Sequence, residues 1–193
     1  NHMIALLTIP KKSGTIWKMT KNTTRIMCVI TAISGINNIL KRTKENYSNN
    51  MAKIIIIGAN GQLAFDLKKV FEIDHEVIGA TRADFDITDG VSVSNFIKYH
   101  APDIVINTAA YHKTEECELN PEKSFAVNAI GAYNAAKAAA DINAKIVFFS
   151  TDYVFGGDKE NFKESDAPNP LNVYGASKLA GEILTRTANK NYY

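Results

Sequence analysis

The sequence predicts an α/β fold built on a doubly wound parallel sheet, and three observations carry that prediction. Short apolar runs, Lys53–Ile57, Glu76–Ala80, Asp103–Asn107 and Lys145–Ser150, recur along the chain. Segments of helical period stand between them. Two glycines, Gly58 and Gly61, mark the junction of the first run with the first helical segment. Parallel strands buried on both faces read as continuous apolar runs, and joining them needs a crossover, usually a helix.

Each element has its own grounds. Lys53–Ile57 is four isoleucines after a lysine, bounded by Gly58, as a buried strand requires. The helix after it carries Leu63, Leu67, Val70 and Phe71 on one face. Glu76–Ala80 is the second strand. Val91–Tyr99 is a short helix with Ser92, Ser94 and Asn95 on its wet side, and Asp103–Asn107 is the third strand. Asn120 and Pro121 then supply N-cap and first-turn chemistry for a long Ala-rich helix running to about Asp141. Lys145–Ser150 is a further strand. After a loop holding Gly156, Gly157, Pro168 and Pro170, a last helix spans about Asn172 to Asn189.

Composition splits the 193-residue chain in two. Residues 1–50 hold eight Lys/Arg against one acid, Glu45, while residues 51–193 hold 14 basic and 19 acidic residues. Such a break marks an appended tail beside a globular unit, so residues 1–50 are expected to stand outside the fold and 51–193 to form it. Asn1-His2-Met3 reads as the remnant of a cleaved tag, and Met51 as the start of the domain. A basic stretch before Ile26–Ile36 resembles a signal peptide superficially, but no small-residue cleavage site follows it. The mildly acidic body gives no electrostatic reason to expect nucleic acid, and no segment is long and apolar enough for a membrane span. Cys28 and Cys117 suit neither a disulfide framework nor a zinc site, which makes a reducing cytoplasm the default.

The glycine junction is a candidate dinucleotide site. In Gly58-Ala-Asn-Gly61-Gln-Leu-Ala64, Gly58 permits a tight turn and Gly61 lets a pyrophosphate approach the helix N-terminus. Ala64, where a third glycine is usual, is small enough for helix–strand packing. The second strand ends Gly79-Ala80-Thr81-Arg82, without the carboxylate that would bind an adenosine ribose. Thr81 accommodates a 2′-phosphate and Arg82 pairs with one, favouring NADPH, with NADH as the alternative. Asp86 and Ile87 follow and would flank the adenine.

The chemistry falls at the other end. Tyr174 and Lys178 lie four apart on the last helix, so both project from one face. An ammonium beside a phenol is expected to lower the tyrosine pKa from its usual value of about 10 and ready it as a proton donor to an alkoxide. Thr151, at the C-terminal end of a parallel strand, would hydrogen-bond the substrate oxygen.

On these motifs, with Ser150-Thr-Asp-Tyr-Val-Phe155 and Pro170-Leu-Asn-Val-Tyr-Gly-Ala-Ser-Lys-Leu-Ala-Gly-Glu182, residues 52–190 resemble an extended short-chain dehydrogenase/reductase. They are most similar to the dTDP-4-dehydrorhamnose reductase family. The resemblance implies a Rossmann-type sheet whose cofactor is lined by Gly61, Gln62, Leu63, Asp86, Ile87, Ala109, Ala110, Tyr111 and Phe149. It implies Thr151 and Asp152 against the sugar, Tyr174 as general acid, and Lys178 holding the nicotinamide ribose. Asn128 matches the asparagine that supports the lysine through water in the wider superfamily, or is a helix residue satisfied by its surroundings. The implied reaction is NAD(P)H-dependent reduction of the 4-keto group of a dTDP-4-keto-6-deoxy sugar.

Two departures from neighbouring patterns narrow the reading. Sugar-nucleotide dehydratases place Asp-Glu after the threonine; here Asp152 is followed by Tyr153, so reduction fits and dehydration does not. His112 and Glu116 have metal-ligand spacing on a helix but no third ligand, and read as a solvated helix start with no metal. By the resemblance, the rest of the sheet and a smaller C-terminal substrate domain would follow Tyr193 and are missing. The expectation is a cofactor domain that is marginally stable or forms a homodimer, and that turns over sugar poorly. The alternative from another class is a nucleotide-binding regulatory subunit, resembling that of methionine adenosyltransferase.

Overall fold

The computed structural model describes residues 33–40, 51–159, 162–163 and 165–193. In chain order the elements are α1 (33–40), β1 (Lys53–Ile57), α2 (Gln62–Phe71), β2 (Glu76–Ala80), α3 (Gly90–His100), β3 (Ile104–Asn107), α4 (Thr114–Leu119), α5 (Pro121–Phe125), α6 (Gly131–Asp141), β4 (Lys145–Phe148) and α7 (Val173–Ala188). A π-helical turn, Ala126–Ile130, joins α5 to α6, and a 3-10 turn, Asp152–Val154, follows β4.

The four strands form one parallel sheet in the order β2-β1-β3-β4. Its register aligns Ala80, Ile57, Asn107 and Phe148 across the sheet, so every strand ends at one rim. Side chains alternate across the pleat. Ile55, Ile57, Val105 and Ile146 join Val93, Ile97 and the alanines of α6 in one buried cluster. Ile54, Ile56, Ile104, Ile106 and Val147 join Leu67 and Phe71 of α2 in the other.

Local chemistry sets several boundaries. Asp89 caps α3, accepting from Val91 N and Ser92 N at 3.0 and 3.3 Å. Asn172 caps α7 through Gly175 N at 2.7 Å. Asn120 stands at the N-cap of α5 with Pro121 behind it, but its side chain makes no cap bond and donates backwards to Glu116 O at 3.1 Å. The strand expected to run to Ser150 ends at Phe148, leaving Phe149 and Ser150 free to turn toward α7.

Two expectations are corrected. The long helix is not uniform: the π turn interrupts it, and the buried side chain of Asn128 lies there. The segment 1–50, expected to stand apart, contributes α1, whose Ile36, Ile39 and Leu40 are buried with Ile54, Ile56, Ile104 and Ile106. Isoleucines and a leucine at helical spacing meet an apolar sheet face there, and a charge count does not register that match. The rest of residues 1–50, including Asn1-His2-Met3, lies outside the described residues. The outer edge of β4 is not bare: Tyr193 N donates to Ile146 O at 2.9 Å, and Ile146 N and Phe148 N donate to Asn191 O and Tyr193 O at 3.0 Å.

Candidate active site

The rim where the strands end gathers three loops and one face of α7. The first loop is the glycine turn. Gly58 has φ +83°, and a Cβ there would stand 2.9 Å from the Ala109 backbone. Only glycine meets both conditions cheaply. Gly58 N and Ala59 N donate to Ala80 O at 2.9 and 3.0 Å, and Thr108 Oγ1 donates to Ile57 O at 2.7 Å, tying the turn to β2 and β3. Gly61, at φ −74°, is the N-cap of α2, and no side chain caps that helix. Gln62 is exposed and Leu63 half-buried on its first turn, while Ala64 is buried.

At the end of β2, Arg82 is exposed. Thr81 is engaged by a residue the sequence reading passed over: its N and Oγ1 donate to Asp84 Oδ2 at 2.8 and 2.9 Å. The Thr81 backbone bond, then its hydroxyl, holds the Asp84 carboxyl below the usual range. The signal was a Thr-x-x-Asp spacing, which makes a local turn of this kind. Asp86 is exposed and bonded to Thr88 N and Oγ1, whereas Ile87 is buried against Gly131, so these neighbours point into different surroundings.

The loop after β3 carries Ala109, Ala110 and Tyr111, all half-buried. Asn128 grips it at both backbone atoms: Tyr111 N donates to Asn128 Oδ1 at 2.8 Å, and Asn128 Nδ2 donates to Tyr111 O at 2.9 Å. The same amide donates to Ser177 Oγ at 2.9 Å, which pairs with Ser124 Oγ at 3.0 Å. Of the two readings of Asn128, this geometry matches a side chain satisfied by its surroundings. His112 precedes α4 rather than sharing its face with Glu116, and Glu116 pairs with Lys113 at 2.7 Å.

β4 and α7 bring the candidate chemical residues together. Thr151 caps the 3-10 turn through Tyr153 N at 3.3 Å and donates to Asp152 Oδ1 at 3.2 Å, with its hydroxyl near enough to Tyr174 to act on the phenol. Lys178, 3% exposed, donates to Phe149 O and lies 4.0 Å from the centroid of the Phe148 ring. Asp152 is exposed at the rim. α7 is held close by glycines: a Cβ at Gly175 would fall 2.2 Å from Tyr153 O.

The electrostatics overturn one expectation. Burial raises the Tyr174 phenol above its ordinary value, with the Thr151 hydroxyl acting the other way and Lys178 not among the principal causes. Burial also lowers Lys178 to about 8, opposed by the nearby Glu182 carboxylate. Spacing correctly put both groups on one face, but desolvation dominates their titration.

A parallel sheet with a glycine turn at the strand-end rim defines a Rossmann-type α/β protein. The chain belongs to the family described as the RmlD substrate binding domain, which it matches over residues 52–193. It is similar to the spore coat polysaccharide biosynthesis protein SpsK of Bacillus subtilis (strain 168), 38% identical over 143 residues, 73% of this chain and 50% of that protein. It is also 38% identical over 141 residues to the dTDP-4-dehydrorhamnose reductase of Sinorhizobium fredii, 72% of this chain and 48% of that one. A solved dTDP-4-dehydrorhamnose reductase from Bacillus anthracis in complex with NADP superposes with a TM-score of 0.72 at 37% identity, covering 76% of this chain and 52% of that one. The chain thus spans about half the length of the relatives it matches.

Proposed function

We propose that this chain carries the cofactor-binding and proton-donating half of an NADPH-dependent reductase acting on a dTDP-4-keto-6-deoxy sugar. The observation that carries it is the convergence of Thr151, Tyr174 and Lys178 where β4 and α7 meet, on the rim that holds the glycine turn. Relatives bearing the name dTDP-4-dehydrorhamnose reductase, one of them solved with NADP, support the same reading.

The residues present fit a dinucleotide. Gly58 leaves no side chain at the turn, and the uncapped N-terminus of α2 offers its first backbone N–H groups to an anion. Gly58, Gly61, Gln62 and Leu63 would take the pyrophosphate. Arg82 would meet the 2′-phosphate, and Ala109, Ala110, Tyr111 and Phe149 would line the remainder, with Asp86 and Ile87 toward the adenine. NADPH supplies the hydride when bound. Because Asp84 already engages Thr81, the 2′-phosphate selection rests on Arg82, and NADH remains the second choice.

The chain's own residues do the rest. Tyr174, with a raised pKa, keeps its proton at neutral pH and donates it to the oxygen formed at C4 of the sugar. Thr151, beside Tyr174, hydrogen-bonds that oxygen as charge develops, and Asp152 meets the sugar. Lys178 holds the cofactor ribose and the end of β4. Exposed Phe125, Ile130, Tyr133 and Ile183 on α5, the π turn, α6 and α7 support pairing of two copies. Reliance on NADPH and a nucleotide sugar favours the cytoplasm.

The test has two stages. NADPH at saturating concentration is expected to raise the melting temperature more than NADH, and Arg82→Ala to erase that preference. NADPH oxidation with the 4-keto sugar nucleotide is then followed in wild type and Tyr174→Phe. Slow turnover lost in Tyr174→Phe supports the reductase; binding without turnover favours the regulatory subunit. No thermal shift with either nucleotide overturns both.

A further inference from the structure

α7 grips the end of β4 at two points one helical turn apart, and the function proposed above uses only the first. Lys178 Nζ donates to Phe149 O, and Ser150 Oγ donates to Glu182 Oε1. Phe149 and Ser150 are the two residues between the end of β4 and Thr151. Lys178 and Glu182 are four apart on α7, so their side chains share a face and lie over successive residues of the departing strand.

We propose that Glu182 is a positioning residue for this site, tethering Ser150 so that Thr151 is held against Tyr174 while its carboxylate stands beside the Lys178 ammonium. The inference rests on the reading of Thr151, Tyr174 and Lys178 given above. Three observations support it. Ser150 and Glu182 are both partly buried, so water competes weakly for their bond. At the neighbouring Gly181 a Cβ would meet Asn128 O at 2.3 Å and Phe148 Cζ at 2.8 Å, so α7 is seated on backbone at this level and holds its tether steady. The charges also act on each other: burial raises the Glu182 carboxyl, opposed by the Ser150 hydrogen bond and by Lys178 and Arg186, while Glu182 in turn opposes the desolvation of Lys178.

The groups facing this cluster come from three elements. Lys178, Glu182 and Arg186 lie on α7 with Tyr174, which Asp152 and Tyr153 face from the 3-10 turn and Cys117 from α4. Glu182 is the counter-charge that acts on Lys178. A hydrogen-bonding role alone would be filled by glutamine at 182; a charge-balancing role would not.

The experiment uses the full chain labelled with 13C at the lysine side chains, the Lys178 signal being assigned by its loss in Lys178→Arg. Its titration is followed in wild type, Glu182→Gln and Glu182→Asp, with NADPH affinity measured in parallel. Glu182→Gln is expected to lower the Lys178 midpoint by about one unit and, through the smaller protonated fraction, to weaken NADPH binding at pH 7.5 by about threefold. Glu182→Asp should recover most of the midpoint. An unchanged Lys178 midpoint in a folded Glu182→Gln protein overturns the proposal, whatever NADPH does. If wild type fails to bind NADPH while the midpoint moves as expected, the reductase reading falls and the charge pairing stands. Should Glu182→Gln not fold, Ser150→Ala tests the tether: amide exchange at Ser150 and Thr151 is expected to quicken about tenfold. Exchange at the wild-type rate overturns it.

Discussion

Tyr174 and Lys178 show what residue spacing conveys and what it withholds. Four positions on a helix put both side chains on one face, and the structure brings that face to the end of β4. Spacing carried no information on desolvation, and desolvation moves the phenol up and the amine down. The second carboxylate of the cluster, Glu182, was also open to a search at i, i+4 from Lys178, but its Ser150 partner arrives from another element. Glycines tell the same story. Gly58 was legible because it ends a strand, whereas Gly181 sits in mid-helix and owes its identity to the carbonyl of Asn128 2.3 Å from where a Cβ would stand. Gly181→Ala is therefore expected to destabilise the fold by about 1–3 kcal/mol, despite alanine's better helix propensity. Urea unfolding checks this; a midpoint equal to or above wild type would mean α7 can move off the π turn freely.

Among the elements, β1 to β4 and their helices were readable because apolar runs and helical periods are local signals, and their boundaries shifted by only a residue or two. The π turn was not readable. Nothing in Ala126–Ile130 forbids a regular helix; the distortion accompanies the bonds of Asn128 to Tyr111 and Ser177, both distant in sequence. α1 was hidden by the basic composition of residues 1–50, although Ile36, Ile39 and Leu40 have the spacing of a buried face. Two substitutions on α1 should move stability in opposite directions. Leu40→Ala removes a side chain 2% exposed and is expected to cost about 2–5 kcal/mol. Gly35→Ala adds a Cβ with nothing within 4 Å and is expected to stabilise by up to about 1 kcal/mol. Both are read from urea midpoints on the full chain. If Leu40→Ala unfolds at the wild-type midpoint, α1 does not cover the sheet in solution.

At the scale of the whole molecule, the register that ends all four strands at one rim gathers the functional loops, and it follows from the strand–helix alternation that the sequence displays. That rim carries a buried cation, and its cost is visible in how global stability varies with pH. The Lys178 amine titrates near 8 in the folded protein and near 10.5 when unfolded. Between those values the unfolded chain binds the extra proton, so stability rises with pH, by about 3 kcal/mol in all if Lys178 acts alone. Lys145, also lowered by burial, has the same sign. Tyr174 opposes it only above pH 10, where the unfolded phenol ionises before the folded one. The useful window is therefore pH 8 to 10. Chemical denaturation at pH 7.5, 8.5 and 9.5 should show wild type gaining stability at each step, and Lys178→Met should retain only the shallow slope left by Lys145. A wild-type protein that weakens steadily across that range would show that Lys178 reaches water, and with it that α7 does not close over β4 as described.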